Sequence, residues 1–352
     1  MNIKGLLLGI FMCLVAAVLP SQQAHGQDIH FSQFYASPLT LNPAMTGLMD
    51  GCYRAAVNYR NQYPELYSYS TVAASFDMPL LRAQLRNDFA GFGLMVFNDQ
   101  QGNGSLNNLT IMGSVAGHKS LHPDGKVLLS VGVQGGWVNK SVDFQKLLFE
   151  SQLDGTAFNP NIANGESIED NQFSYFDLRA GLMLSANVNK TFGLFGGASY
   201  FHITEPEETF LIKDNVAEIN TLSARLVAHI GAKITPSNEI SITPNFIYMT
   251  QAGATTIVAG ANLGYYFDGT AKSGSRGTAL YLGASYRLED ALIILVGAEF
   301  NSFKFGISYD INISELRNAS SGQGGIELSL GYELDCEPQG RRGYPPISCP
   351  RF

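Results

Sequence analysis

The stretch "TLSARLVAHIGAKIT", residues 221–235, alternates apolar side chains with polar or small ones along its whole length. Leu226 and Ile230 fall on one face of an extended chain, whereas Arg225, His229 and Lys233 fall on the other. Successive side chains of a strand point to opposite faces of its sheet. The pattern therefore predicts one long β-strand with an apolar face and a polar face.

The same period of two recurs along the chain after Gly51. The segments that carry it are 52–60, 68–78, 89–98, 106–119, 126–138, 173–187, 191–203, 221–235, 239–250, 254–267, 277–288, 290–300, 302–314 and 325–334. Strands of soluble sandwiches are usually about five or six residues long, whereas a bilayer crossing takes about 9–11 tilted residues. We therefore predict an all-β transmembrane antiparallel β-barrel of about 14 strands, closed because backbone groups in lipid must be paired. A secreted β-sandwich is the alternative, with shorter strands and its apolar face in a core.

Composition narrows the class of protein. Of the 352 residues, 15% are charged, against about 25% in a typical soluble protein. The formal net charge of −8 argues against a general nucleic-acid partner. No G-x-S-x-G, H-E-x-x-H or C-x-x-C motif is present, and the histidines lack metal-ligand spacing. We therefore predict no catalytic residues, no metal and no cofactor, with an outer-membrane hydrolase as a weaker alternative. The acidic loop 139–172 suits a solvated outer loop better than a calcium site, since it lacks EF-type spacing.

The first 26 residues resemble an export signal. Lys4 precedes an apolar run, and Ala24-His25-Gly26 offers a small-x-small cleavage site. A retained N-terminal anchor is the alternative. We divide the rest into an N-terminal periplasmic or plug segment (27–51), an outer-membrane barrel (52–334) and a periplasmic C-terminal tail (335–352).

Connection lengths predict the orientation of the barrel in a Gram-negative outer membrane. The longer connections 98–105, 139–172, 204–220 and 315–323 alternate with short turns, and short turns are expected on the periplasmic side. An even number of strands then leaves both termini periplasmic. The connections 79–88 and 268–276 should be short periplasmic turns in this scheme, but both are longer, and the sequence does not explain their length.

The polar faces of the strands predict a lumen lined with both signs of charge, which favours ion-pair networks over a one-sign pore. The predicted lumen charges are Arg54, Arg60, Asp177, Arg179, Arg225, Lys233, Arg287, Glu299, Lys304, Asp310, Glu327 and Glu333. A barrel of this size is too wide for its wall side chains to fill, so a plug or a water-filled space is expected. The proposed plug and partner segment contains Phe31, Ser32, Gln33, Phe34, Tyr35, Asn42 and Pro43. A flexible periplasmic leader is the alternative.

The C-terminal tail cannot extend the last strand because it carries four prolines. Cys336 and Cys349 flank it, and in an oxidising compartment a disulfide between them is the default prediction. Cys52 is then left unpaired. Such a stapled tail could dock a periplasmic partner or could merely protect the chain end.

Three stretches resemble the PorP/SprF family of type IX secretion system outer-membrane proteins from Bacteroidota. They are "FSQFYASPLTLNPAMTG" (31–47), "AVNYRNQYPEL" (56–66) and "YDINISELRNASSGQGGIELSLGYEL" (309–334) together with the final "CPRF". One departure is Tyr63, where the family often has tryptophan. The resemblance implies a role in export or cell-surface attachment of secreted proteins, or in gliding motility. It also implies partners among the periplasmic ring, motor or peptidoglycan-linked components and a secreted surface protein or adhesin.

Two functions follow as expectations. The first is a non-enzymatic barrel that serves type IX secretion, in contact with outer-membrane lipid. The second is a passive transporter in which a plugged barrel carries small or hydrophobic solutes.

Overall fold

The computed structural model describes residues 28–334 except 65–68, 83–84, 86, 103–105, 148, 156, 160, 164–170, 211–220 and 273–276. The predicted signal (1–26), the tail (335–352) and the proposed Cys336–Cys349 disulfide therefore lie outside the described residues.

Fourteen long strands form a closed barrel. They are β1 (Tyr53–Gln62), β2 (Tyr69–Leu80), β3 (Phe89–Gln101), β4 (Leu106–Ser120), β5 (Val127–Val142), β8 (Gln172–Asn187), β9 (Phe192–Phe201), β10 (Arg225–Ile234), β11 (Ile240–Gln251), β12 (Ala254–Tyr266), β13 (Ala279–Arg287), β14 (Ala291–Phe300), β15 (Phe303–Asn312) and β16 (Gln323–Leu334). A small hairpin, β6 (Leu153–Asp154) with β7 (Ala157–Phe158), lies in the β5–β8 connection.

Helical structure is confined to single turns. One short α-helix spans Pro38–Leu41, and 3-10 turns span Phe34–Ala36, Pro43–Met45, Phe144–Lys146, Glu150–Gln152 and Glu315–Arg317. Within the described part of the chain, none of the helices has the length and apolar character that a membrane crossing requires.

Each barrel strand pairs with its neighbours in an antiparallel ladder, and β1 pairs with β16 to close the cylinder. We call this β1–β16 contact the seam. Its register runs from Tyr53 opposite Leu334 to Gln62 opposite Gly325. The seam therefore joins the two most distant parts of the barrel sequence.

The two faces of the strands are separated as the sequence predicts. In β10, Leu226 and Ile230 are exposed on the outside, whereas Val227 and His229 are buried on the inside. Exposed aromatic side chains cluster toward the two ends of the outer wall: Tyr69, Trp137, Phe176, Tyr200, Tyr286 and Tyr309 toward one, and Phe76, Phe92, Tyr265, Phe267, Phe300 and Phe303 toward the other. An apolar band between two aromatic girdles is the surface of a membrane-spanning barrel.

The two ends of the barrel differ in their connections. The long connections 143–171 and 202–224 leave from one end, which we call the loop end. The first residue of β1 and the last residue of β16 lie at the other, which we call the turn end. The described N-terminal residue Asp28, however, contacts Gln251 and His202 at the loop end. The two ends of the described chain therefore lie at opposite ends of the barrel, while the shared periplasmic side of the two termini stays a prediction, because the termini lie outside the described residues.

The fourteen predicted strands all exist, with errors of up to four residues in their bounds, as at the start of β10 and the end of β5. The strand predicted at 221–235 begins at Arg225, because the preceding residues join the loop instead. Thr221 forms an isolated bridge with Glu207, and the Leu222 N–H donates to the carbonyl of Pro206 at 2.9 Å.

Described residues of the two connections that the sequence did not explain lie against the turn end. Arg82 of the β2–β3 connection donates to the carbonyl oxygens of Met49 and Asp50. Ala271 of the β12–β13 connection is 1% exposed and packs with Tyr266 and Tyr281.

The expectation that Cys52 is unpaired is wrong. Cys52 is disulfide-bonded, and the other half of the bond lies outside the described residues. Its N–H also donates to the carbonyl of Leu334 at 2.8 Å, which places Cys52 at the seam.

Candidate functional site

Residues 28–51, which we call the lumen segment, run through the inside of the barrel. The segment starts at the loop end, where the Asp28 N–H donates to Gln251 at 2.9 Å. It ends at the turn end, where the Gly51 N–H donates to Glu333 at 3.0 Å. Between these points it contacts strands on all sides of the cylinder. Its irregular backbone is tolerated at membrane depth because protein surrounds it.

Some backbone polar groups of the lumen segment are paired within its own short turns, and others bond to the wall. The hydroxyl of Ser199 donates to the carbonyl of Leu41 at 2.8 Å. His118 lies 2.8 Å from the carbonyl of Thr46 through Nε2. Because a carbonyl only accepts, Nε2 of His118 carries the proton, and Nδ1 accepts from the hydroxyl of Ser130 at 2.7 Å. The inner wall thus supplies the pairing that a helix or sheet would provide elsewhere.

A buried cluster of four charges holds the first part of the segment. Arg60 contacts Asp310 at 2.8 Å and Glu327 at 3.0 Å, and Arg287 contacts Asp310 at 2.9 Å. All four side chains are nearly inaccessible to solvent. Two guanidinium groups balance two carboxylates, so the cluster carries no net charge in the buried lumen.

Ser32 lies at the centre of this cluster. Its hydroxyl accepts from Arg60 and from Arg287, both at 2.7 Å, and lies 2.9 Å from each carboxylate oxygen of Asp310. The backbone N–H groups of Ser32 and Gln33 donate to the two carboxylate oxygens of Glu327 at 2.7 and 2.9 Å.

A second charged cluster binds the start of the segment at the loop end. Asp28 pairs with His202, which also lies 3.1 Å from Asp177, and Arg225 donates to the carbonyl of Ile29 at 3.0 Å. Burial works against ionised Asp28, but the charges of His202 and Arg225 outweigh it and lower its pKa. Burial likewise works against protonated His202, but the Asp28 and Asp177 carboxylates raise its pKa. The pair therefore favours a carboxylate beside an imidazolium.

Asn42 joins the middle of the segment to three strands. Its side-chain oxygen accepts from the N–H of Ala44 at 2.9 Å and caps the turn Pro43–Met45. Its amide nitrogen donates to the carbonyl of Leu182 at 3.1 Å and lies 3.2 Å from His229. Asn42 is fully buried, so each of these bonds is protected from water.

Glycines on the wall leave room for the segment. A Cβ at Gly91 would lie 2.0 Å from the carbonyl oxygen of Thr46, and one at Gly132 would lie 2.3 Å from that of Pro43. A Cβ at Gly181 would lie 2.0 Å from the amide oxygen of Asn42. Real Cβ atoms essentially never approach so closely, so these positions require glycine for close backbone approach.

Near the turn end, the segment binds Asp77 of β2. The N–H of Gly47 donates to this carboxylate at 2.7 Å, and Arg54 bonds to it through two nitrogens at 2.9 and 2.8 Å. Arg54 also donates to the carbonyl of Met45 at 3.2 Å. The hydroxyl of Thr46 donates to the hydroxyl of Ser114 of β4 at 2.9 Å.

The structure places every proposed plug residue inside the barrel. Phe31, Ser32, Gln33, Phe34, Tyr35, Asn42 and Pro43 are all buried. Phe34 and Tyr35 belong to a cluster with inner-wall residues such as Phe195 and Ile247. Phe31 packs with Leu39 in a second cluster that includes Phe97. The aromatic content of the segment therefore serves packing within the lumen.

The predicted lumen charges all lie on inward-facing positions, although they divide among separate clusters. Arg60, Arg287, Asp310 and Glu327 surround Ser32, and Asp177, Arg179 and Arg225 lie at the loop end. Near the turn end, Lys304 pairs with Glu333 at 3.3 Å, and Glu299 accepts from Tyr281 at 2.8 Å. Lys233 is half-buried in β10.

Sequence reasoning missed Asp77 and Asp99 as lumen charges. Asp77 alternates with outward Phe76 inside a predicted strand, so the period-two signal was available. Asp99 lies beyond residue 98, where the prediction ended β3 too early. It accepts from the hydroxyl of Thr71 at 2.5 Å on the inner wall.

At the loop end, described residues of the connection 202–224 contact the ends of β5 and β8. Glu208 accepts from Lys140 and from the hydroxyl of Tyr175, both at 2.5 Å. The ring of Phe210 packs on Phe173 with centroids 4.6 Å apart. Among the described residues, no group of histidine, cysteine or acidic side chains has the arrangement of a metal site.

Two cavities beside the lumen segment are of water size. One of about 30 Å³ is lined by residues that include Asp28, Phe97 and Arg225, and a second of about 10 Å³ adjoins His30. A single water needs roughly 10–15 Å³. These spaces can hold one or two waters beside the segment.

Comparison with known proteins identifies the family. A family model described as the type IX secretion system membrane protein PorP/SprF matches residues 23–332. The chain belongs to the PorP/SprF family. This member is therefore a membrane protein of the type IX secretion system in its broad class. The closed barrel also fits an outer-membrane location.

Solved structures share the fold of this PorP/SprF protein. The Pseudomonas putida toluene transporter TodX matches with a TM-score of 0.52 at 11% identity, over 85% of this chain and 93% of the other. The Ralstonia pickettii toluene transporter TbuX matches with a TM-score of 0.47 at 12% identity, over 84% and 93%. At such identity the likeness to TodX shows the fold alone. The comparison with curated proteins returns no match.

Proposed function

We propose that this PorP/SprF protein supports export or cell-surface attachment of secreted proteins as a closed barrel, with the lumen segment as its plug. Its role in secretion is then carried by surfaces at the two ends of the barrel and not by passage of cargo through the lumen. The observation that carries the proposal is the course of residues 28–51, which bond to the inner wall from the loop end to the turn end.

Three features support a closed state. The segment is buried along nearly its whole length. Two cavities beside it that are lined by described residues are of water size. Arg82 and Ala271 pack at the turn end, while Glu208 contacts Lys140 of β5 and Tyr175 of β8 at the loop end. A solute larger than water would have to displace buried ion pairs, and breaking these is costly.

Orientation is part of the proposal. Because short turns of outer-membrane barrels face the periplasm and long loops face outward, we assign the loop end to the cell surface. The connections 143–171 and 202–224 would then meet secreted cargo or an adhesin. The turn end and the tail after Leu334 would meet periplasmic ring, motor or peptidoglycan-linked components. Gliding motility would follow where the attached surface protein is an adhesin.

Two assays on one protein test this proposal. Liposomes containing the purified full chain should show no swelling in small sugars or amino acids, whereas liposomes with an open porin should swell. A deletion strain should lose a defined set of surface proteins, and the wild-type chain should restore them. Solute flux combined with intact surface proteins in the deletion strain would contradict the proposal and favour a passive transporter.

A further inference from the structure

The inner face of the seam has little side-chain contact of its own in its middle. Ala56 of β1 lies opposite Gly331 of β16, and Asn58 lies opposite Ser329. Toward the loop end, Arg60 pairs directly with Glu327 across the seam at 3.0 Å. The lumen segment adds further inner-face bonds to both seam strands.

Ser32 and Gln33 bind both strands of the seam. The hydroxyl of Ser32 accepts from Arg60 of β1, and its N–H donates to Glu327 of β16. The Gln33 amide donates to the carbonyl of Glu327 at 3.1 Å and accepts from the hydroxyl of Ser329 at 2.7 Å. Gly306 makes space for this amide, because a Cβ there would lie 2.2 Å from its oxygen.

The segment also binds both seam strands near the turn end. Arg54 of β1 donates to the carbonyl of Met45, and Glu333 of β16 accepts from the N–H of Gly51. The two halves of the seam are therefore linked through the same peptide at both of its ends.

We propose that the lumen segment is an internal clasp that closes the barrel between β1 and β16. The inner face of the seam is a peptide-binding site, with Arg60, Glu327 and Ser329 as its recognition residues. Its ligand is a peptide that presents two successive backbone N–H groups and a primary amide, supplied here by Ser32 and Gln33. This inference goes beyond the secretion role and does not depend on it.

Loop-closure entropy gives the clasp its physical purpose. Pairing β1 with β16 brings together the two ends of the barrel sequence, and the cost of closing a loop grows with its length. A segment that is continuous with β1 and already binds β16 offsets part of that cost. The N–H groups of Ser32 and Gln33 also donate to the buried carboxylate of Glu327. Without the segment, both carboxylate oxygens would lose these bonds, which is costly for a buried charged group.

Hydrogen exchange on the full chain in detergent tests the clasp. Gln33→Ala removes the amide at the seam, and Asn42→Ala is the matched control, because it removes an equally buried amide that binds β8 and β9 instead. In Gln33→Ala, amides of 53–62 and 323–334 should exchange roughly ten-fold faster. In Asn42→Ala, the increase should fall on the strands around Leu182 and Ala198.

Two results would overturn the clasp. One is that the amides of both seam strands exchange in Gln33→Ala at the same rate as in the wild type. The other is an equal increase at the seam in both variants, which would make the segment a general filler. If Gln33→Ala does not fold, Gln33→Met keeps the volume while losing the bonds, and the same two criteria apply to it. Because exchange is read from the barrel alone, failure here leaves the secretion proposal untouched.

Discussion

Arg60 and Glu327 face each other where the first strand of the barrel meets the last, with Nη1 of Arg60 3.0 Å from Oε2 of Glu327. Arg60 also pairs with Asp310, and neither carboxylate has appreciable contact with solvent. A buried ion pair therefore joins the two strands that close the barrel.

Replacing Arg60 should strongly destabilise the barrel. In Arg60→Met, two buried carboxylates lose a partner, and breaking a buried pair costs about 3–5 kcal/mol. The measurement is the denaturant concentration at the midpoint of unfolding. The folded fraction is read from unheated gels, on which folded and unfolded protein migrate differently. Lys119→Met is the control, since its pair with Asp88 is exposed at the surface and such pairs contribute about 0–1 kcal/mol. Equal midpoints for the two variants would contradict the assignment of Arg60 to a buried network.

Adding one methyl group at Gly91 should disturb the lumen segment. The new Cβ would meet the carbonyl oxygen of Thr46 at 2.0 Å, and overpacking of this kind typically costs about 1–3 kcal/mol. Gly117→Ala is the control, since a Cβ there meets nothing within 4 Å. Thermal unfolding in detergent should separate the two variants. A Gly91→Ala protein as stable as the control would mean that Thr46 does not lie against β3.

The start of the segment should loosen at alkaline pH. The pKa of His202 is raised above its ordinary 6.5 by Asp28 and Asp177, so its contribution is complete below that value and is lost as pH rises through the raised pKa. Asp28 does not change charge as the pH rises above neutral, because its pKa is lowered.

Hydrogen exchange measured across this pH range, corrected for intrinsic rates, provides the check. Residues 28–30 should lose protection with increasing pH in the wild type, and His202→Gln should abolish the dependence. Protection that is constant with pH in the wild type, or pH dependence that persists in His202→Gln, would contradict the Asp28–His202 pair.

The N-terminal end of the lumen segment should be reachable at the cell surface. Asp28 lies at the loop end, whereas Leu334 lies at the turn end. An epitope placed directly before Asp28 should bind antibody on intact cells. The same epitope after Phe352 should bind only after the outer membrane is permeabilised. The reverse pattern would invert the proposed orientation, and labelling of both on intact cells would refute the separation of the two ends.

The strands could be predicted from the sequence because a wall with an apolar outer face and a polar inner face requires apolar and polar residues to alternate along each strand. Leu226, His229 and Ile230 show it within six residues, and each strand repeats it. The course of the lumen segment leaves no such record, because its turns follow no period. The contact of Asn42 with His229 links residues 187 positions apart and depends on the space left by glycines such as Gly181.

Charge positions were predictable wherever the strand bounds were right. Arg60 and Glu327 could be placed on the inner face from alternation alone, but their pairing depends on the register of the seam, which only closure of the barrel sets. Asp99 was missed because the prediction ended β3 before it. Cys52 was misjudged because the partner of a cysteine depends on tertiary proximity, which spacing does not reveal.

The central claim is that residues 28–51 lie inside the barrel, and a designed disulfide tests it most directly. The hydroxyl oxygens of Thr46 and Ser114 are 2.9 Å apart, so Thr46→Cys with Ser114→Cys should form a cross-linked peptide in the folded protein. Thr46→Cys with Ser308→Cys is the control, because Ser308 lies beside Gln33 in another part of the wall. The account predicts the cross-link in the first pair and free thiols in the second. A folded barrel in which the first pair also keeps both thiols free would contradict it.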